Sequence, residues 1–388
     1  MTHHRRTTLP LIALAATLSG CVGGFEYRDA EPLPFSEIEY GYPVQRALQN
    51  PAVAYVDVGE GPETLVLIHG LASNLGFWRY NLPALAERYR VIALDLPGYG
   101  RSEKSGQYPY TLSFYAETVR DLIRVLGLDS VTLVGQSMGG QIAMVAALAY
   151  PDAIDRLILV DPAGFETFDA GEARWLRNVY TIEGIRLTPE DAIRRNLSLN
   201  FYEWDDRLEW MVEERARLAG TDEFDEFAYA VKKSVGAMLD ESTAPYLEDI
   251  TQPTLVVYGE YDGLIPNPYL HPGFPQDVFT AGARRIPDAT LVEIPDELGG
   301  GRRTVGPGPR PCPPRPGTLP ASGRVPILVL AARGRSRTPS TQRFQLPPRR
   351  SRCWRTSMCP PCSPSCSTSS APSSCCWSRY GWPLGPDG

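Results

Sequence analysis

Six short apolar runs punctuate the chain up to residue 297: LVLI (65–68), VIAL (91–94), VTLV (131–134), LILV (157–160), LVVY (255–258) and TLVEI (290–294). They lack a regular alternation of polar and apolar residues. Runs of this kind form strands covered on both faces, as in a parallel sheet enclosed by helices. Leu82–Tyr89 and Thr111–Leu126 place apolar residues at helical spacing, and the small-residue stretch Met138–Ala149 follows the run at 131. The alternation predicts a doubly wound α/β domain, with a mostly parallel sheet and helices on both faces. One interval breaks the rhythm. Residues 163–245 are charged and helix-like and hold Trp175, Trp204 and Trp210, which predicts an inserted helical cap. The core is then expected over residues 36–162 and 246–297.

Charge divides the chain in two. Residues 1–297 carry 44 acidic and 24 basic residues, whereas residues 298–388 carry 14 arginines, no lysine and one acid, Asp387. An acidic body repels phosphates, so nucleic acid is not an expected partner. Seven of the eight cysteines lie after residue 311 and the other is Cys21, so the body holds no internal disulfide.

The N-terminus has its own signal. Arg5 and Arg6 precede an apolar run from Leu9 to Leu18, then Ser19, Gly20 and Cys21. The run is too short to cross a bilayer, which takes roughly 20 residues, and has the length of a signal-peptide core. Leu18-Ser19-Gly20-Cys21 resembles the lipobox of bacterial lipoproteins. The resemblance implies a signal over residues 1–20, lipid on Cys21 and a tether over residues 21–35. It implies a place in the bacterial cell envelope, held on the membrane by lipid. Val22 after the cysteine points to the outer rather than the inner membrane. An ordinary secretory signal with an incidental Cys21 is the alternative.

The stretch VTLVGQSMGGQIAMVAALAY (131–150) carries the chemistry. Four apolar residues end in Gly135-Gln136-Ser137-Met138-Gly139, and a small-residue helix follows. A strand–turn–helix with G-x-S-x-G exposes a serine hydroxyl on a strained turn. Gly135 and Gly139 remove side chains that would collide where strand and helix pack closely. A second motif, LVLIHGLASNLGFW (65–78), closes a strand with His69-Gly70 and continues into a loop. Together these segments resemble the α/β-hydrolase superfamily, in the branch with a His-Gly-x oxyanion loop. DLPGYGRSEK (95–104) resembles the family's next loop, and the resemblance covers about residues 50–296.

The resemblance implies that Ser137 is a nucleophile and that the backbone N–H groups of Leu71 and Met138 hold the developing oxyanion. His69 would shape its loop and not transfer protons. LVVYGEYDGLIP (255–266) places Asp262 beyond a strand, where the family carries its acid. Glu260 is its neighbour, Asp161 matches a placement used by some lipases, and Asp95 reads as structural. The family sets its histidine after the last strand, near residues 298–299, but the sequence gives Leu298 and Gly299. The last histidine in the chain is His271, flanked by prolines. It is the remaining candidate base.

The chain changes character at the point where that histidine is due. Residues 298–388 hold 17 of the 37 prolines, with runs such as CPPCSPSCSTSS (359–370). Such a composition predicts disorder. The cysteine spacings there match no zinc ligand pattern, so no metal site is expected. A basic arm for nucleic acid or an anionic membrane is the competing reading of the tail.

The parental design implied is a serine hydrolase of the ester or lipase type, needing no cofactor and taking a small, apolar, ester-like substrate. A C–C bond hydrolase of ring-cleavage products shares the elbow and cap. A non-catalytic, lipid-anchored binding protein is the alternative outside the enzymes. Without its histidine the chain is expected to be crippled. A reading-frame shift near residue 297 in GC-rich DNA would account for the arginine, proline and cysteine that follow. The nucleotide sequence checks this: the alternative frame past codon 297 is expected to encode a Gly-His pair and an amphipathic helix.

Overall fold

The computed structural model describes Tyr27 and residues 29–295. The signal over 1–20, the lipid site Cys21 and the tail over 298–388 lie outside the described residues. Eight strands form one sheet: β1 (Gln45–Ala47), β2 (Val53–Val58), β3 (Thr64–Ile68), β4 (Arg90–Leu94), β5 (Val131–Gln136), β6 (Arg156–Val160), β7 (Thr254–Gly259) and β8 (Ala289–Ile294). Their order is β1-β2-β4-β3-β5-β6-β7-β8. β1, β2 and β4 pair antiparallel and all other neighbours pair parallel. The six apolar runs are strands β3 to β8. β3 and β5 are buried along their whole length. β8 departs from the expectation of double burial, with Thr290 and Glu293 exposed. Among the described residues it pairs only with β7.

The strand order fixes where the helices go. From β3 the chain steps back to β4 through α1 (Leu82–Ala86), then forward to β5 through α2 (Leu112–Val125). The forward steps continue through α3 (Met138–Ala149) to β6. Right-handed crossovers in opposite directions place α1 on one face and α2 and α3 together on the other. α2 begins at Thr111, whose side chain accepts from Phe114 N–H. α3 is apolar all round because it is enclosed, with ten of its twelve residues buried.

Between β6 and β7 the chain makes five helices: α4 (Ala170–Val179), α5 (Ile182–Arg186), α6 (Glu190–Ser198), α7 (Trp210–Leu218) and α8 (Phe224–Asp240). A final helix, α9 (Pro275–Ala283), connects β7 to β8. α8 fastens the insertion to the core. The Ser234 hydroxyl accepts from Tyr99 Oη at 2.8 Å and lies 2.9 Å from Tyr115 Oη, all three buried. Past α8, the Glu241 carboxylate accepts the N–H groups of Leu112 and Ser113 at the start of α2. An acid there also meets the positive end of the helix dipole.

Residues 27–35 fall within the stretch expected to be a tether, yet they are held by the insertion. Tyr27 N–H donates to Glu190 of α6 at 2.9 Å, and Leu33 N–H donates to the Arg217 carbonyl of α7 at 3.2 Å. Arg217 Nε returns a bond to the Glu31 carbonyl, and Phe35 is buried against Phe227. The chain is therefore bonded to the insertion at Tyr27 and again at Glu31 and Leu33.

Ser234→Ala removes the one hydroxyl that serves both buried tyrosines. It is expected to cost about 1–3 kcal/mol and lower the thermal unfolding midpoint, measured by circular dichroism.

Candidate active site

Ser137 sits between the last residue of β5 and the first of α3, with φ 51° and ψ −117°. A β-substituted residue pays for that conformation, so the surroundings must hold it. Four backbone hydrogen bonds do so. Ser137 N–H donates to the Val160 carbonyl of β6, and the Ser137 carbonyl accepts from Gly140, Gln141 and Ala163. A Cβ on Gly135 would lie 2.2 Å from the Gly139 carbonyl oxygen. One on Gly139 would lie 2.4 Å from the Ile68 oxygen and 2.7 Å from that of His69. The first turn of α3 thus rests directly on the end of β3. Of residues 131–140, Ser137 alone is not buried.

The register of β3 with β5 brings the two oxyanion candidates together. Ile68 pairs with Gly135, so Leu71 and Met138 each stand three residues beyond a matched pair at the carboxyl ends of adjacent strands. Among the described residues neither backbone N–H donates to a protein acceptor. Gly70 is needed for closeness as well, since a Cβ there would lie 2.3 Å from Gln136 Oε1. His69 shapes this loop. Its Nδ1 bonds the Gly70 carbonyl at 2.8 Å and its Nε2 accepts from Leu96 N–H at 3.1 Å. Burial pushes its pKa down to about 4, so the ring is neutral. Asp95 is equally structural: buried, it accepts from Leu75 and Arg101 N–H and from the Tyr40 hydroxyl.

Asp262 accepts from the N–H groups of Leu264 and Ile265 at 2.7 and 3.2 Å. Burial raises its pKa to about 6. Asp161, at φ 42° after β6, accepts from Gly259 N–H at 2.9 Å. Burial and the charge of Asp262 hold it well above the usual carboxylate range. The two candidate acids therefore repel each other, and neither makes an ion pair among the described residues. Glu260 is exposed. His271 is engaged elsewhere. Its Nδ1 lies 2.6 Å from Glu166 and its Nε2 3.1 Å from Glu172, and its ring stacks on Phe168. Glu166, foremost, raises its pKa. With a carboxylate on each nitrogen it offers no lone pair to Ser137, so it does not fill the role of base. The positions 298–299, where the family's histidine is due, lie outside the described residues.

Ser137, Gln136 and Leu71 open on a cavity of about 480 Å³, roofed by the inserted helices. Its wall is mostly apolar but includes three ionisable side chains, Glu166 and, not foreseen from the sequence, Glu214 and Arg215 of α7. The Asn74 side-chain amide donates to Glu214 at 2.6 Å, and burial raises the Glu214 pKa to about 7. The Arg215 guanidinium lies 4.2 Å from the centre of the Phe227 ring and 5.1 Å from that of Phe224. Burial pushes its pKa down to about 10. No hydrogen-bond acceptor engages it among the described residues.

A model of the alpha/beta hydrolase fold family matches residues 63–297. The chain belongs to that family. A solved protein from Pseudomonas aeruginosa, described as a probable hydrolytic enzyme, is 28% identical. It superposes with a TM-score of 0.63 over 69% of this chain and 92% of its own. A 2-hydroxy-6-oxononadienedioate/2-hydroxy-6-oxononatrienedioate hydrolase of Dechloromonas aromatica is 28% identical over 224 residues, 55% of this chain and 75% of that one. An uncharacterised protein of Mycobacterium tuberculosis is 43% identical over 111 residues, 29% of this chain. The match spans only 32% of that relative's length.

The pH dependence of stability follows from Glu214. The folded protein binds this proton more tightly than the unfolded chain. The stabilisation is complete below about pH 4.5 and is lost as pH rises through about 7. His69 acts oppositely, its contribution being lost as pH falls from 6.5 through about 4. Glu214→Gln leaves the His69 effect in place. It is expected to make the decline in unfolding free energy from pH 4.5 to 8 shallower by on the order of 2–3 kcal/mol, read by urea denaturation.

Proposed function

We propose that this is a serine hydrolase scaffold for carboxylic esters with an apolar acyl or alcohol part, deprived of its base in the chain as written. The backbone conformation of Ser137, facing an apolar cavity from a turn held by four hydrogen bonds, carries this reading. Ser137 Oγ attacks the ester carbonyl. The negative charge that develops on the carbonyl oxygen meets the N–H groups of Leu71 and Met138, each worth about 3 kcal/mol in the transition state. The leaving alkoxide departs, and water then cleaves the acyl-serine.

Both steps need a group that takes the hydroxyl proton and returns it. In this reading Asp262, just beyond β7, supports the imidazolium; its pKa is raised chiefly by burial. No histidine follows His271. Loss of the base from a serine triad costs on the order of 10⁶ in kcat. The sequence keeps the elbow, the oxyanion loop and the acid segment, which supports recent damage over adaptation to a purely binding role.

Arg215 favours a second reading. A half-buried guanidinium on the cavity wall, without a hydrogen-bonded acceptor among the described residues, suits a substrate carrying a carboxylate. The Dechloromonas relative is named for hydrolysis of dienedioates. A C–C bond hydrolase of ring-cleavage products would use the same serine and oxyanion site.

Hydrolysis of p-nitrophenyl butyrate by the expressed chain tests the main reading. Turnover near background is expected, with Ser137→Ala changing it less than about tenfold. Turnover at normal enzyme rates, abolished by Ser137→Ala, would mean that another residue serves as base. Slow labelling of Ser137 by a fluorophosphonate would show that its hydroxyl is presented to the cavity.

A further inference from the structure

Large apolar side chains are unevenly exposed on this protein. Ten are exposed among the described residues, and nine of them come from two stretches, 175–202 and 261–274. Val125 of α2 is the exception. The most exposed of the nine include Val179 (51%), Leu187 (61%), Tyr269 (78%) and Phe274 (73%). A monomer scatters such residues singly, and a concentrated patch marks an interaction surface.

The two stretches form one surface. The Trp175 and Tyr269 rings lie 6.4 Å apart and those of Tyr202 and Tyr261 5.0 Å apart. His271, held by Glu166 and Glu172, ties the second stretch to the chain entering α4. The surface also borders the cavity of Ser137, because Trp175, Val179, Leu264 and Tyr269 line both. These four form the rim of the cavity mouth, and the other exposed side chains lie on the same two stretches.

We propose that this rim docks on a lipid bilayer, with the mouth of the Ser137 cavity turned toward the lipid. Three observations select a bilayer as occupant. The first is the reach of the chain. Tyr27 is bonded to Glu190 of α6, and Cys21, the residue of the lipobox-like signal, stands six positions before it. Six residues span at most about 20 Å, so lipid on Cys21 is confined to the neighbourhood of the rim helices.

The second is composition. Five of the nine exposed residues are Trp or Tyr, whose rings combine an apolar body with a polar atom and settle at the headgroup level. The third is charge. Residues 170–202 carry five arginines and four acids, while residues 1–297 as a whole carry 44 acids and 24 basic residues. The second stretch adds Asp262, so the rim is close to charge balance and a membrane surface repels it less than the acidic body as a whole. No helix among the described residues is long and apolar enough to cross a membrane, so the contact is peripheral. The docking is independent of whether Ser137 turns over.

Hydroxyl-radical footprinting of the full chain, with and without phosphatidylcholine vesicles, tests the proposal. Labelling of Val179, Leu187, Tyr269 and Phe274 is expected to fall by about threefold or more on vesicles, with Val125 unchanged as internal control. In the triple variant Leu187→Ser, Tyr269→Ser, Phe274→Ser, protection of Val179 is expected to be lost even where the N-terminus keeps the protein on the vesicle. Vesicle-bound protein with an unprotected rim would overturn the proposal. So would protection seen only on anionic vesicles, which would assign the contact to arginine charge. Equal protection without vesicles at high protein concentration would do the same, because the rim would then meet a second copy of the chain.

Discussion

The contact on which the site depends is the one between the start of α3 and the end of β3. Gly139 brings its helix so near the carbonyls of Ile68 and His69 that no side chain fits between them. Gly135 does the same for the strand that delivers the serine. This closeness sets the Leu71 and Met138 amides at matching heights on neighbouring strands. It also leaves the chain one residue in which to reverse from strand to helix, and Ser137 takes the left-handed conformation that such a reversal demands. The reactive hydroxyl, its exposure and the free amides beside it all follow from one steric fact.

Electrostatics within the core is less settled than its packing. Burial and the charge of Asp262 raise the cost of ionising Asp161, burial and the charge of Glu166 raise that of Asp262, and among the described residues each accepts hydrogen bonds from backbone N–H groups alone. A cation between them would lower the pKa of both. The described residues supply none, for the available histidine, His271, is spent on Glu166 and Glu172.

The strands from β3 onward were legible because burial on both sides removes polar residues from them, and composition records that. β1 and β2 were not, since β1 is three residues long and VAYVDV carries an aspartate at an antiparallel edge. The elbow and oxyanion loop were legible because their glycines answer backbone constraints. Arg215 was hidden by its neighbours: Glu213, Glu214 and Arg217 make α7 read as a solvated face, although Arg215 turns inward. Residues 27–35 read as a tether because Pro32 and Pro34 break a short segment without helical or strand periodicity, and only the bonds to α6 and α7 revealed their role. The clustering of exposed aromatic residues depends on how distant segments meet, which no local pattern encodes.

The N–H of Ala163, where the insertion begins, is bonded to the carbonyl of Ser137, and Thr243, where it ends, is bonded to Gly164. The first foot of the roof therefore stands on the turn that bears the nucleophile, and the second is tied to the first. A roof so mounted cannot swing as a free flap. Any tilt large enough to admit a bulky guest levers the serine itself, so that the filling of the chamber and the aim of its hydroxyl become one mechanical event.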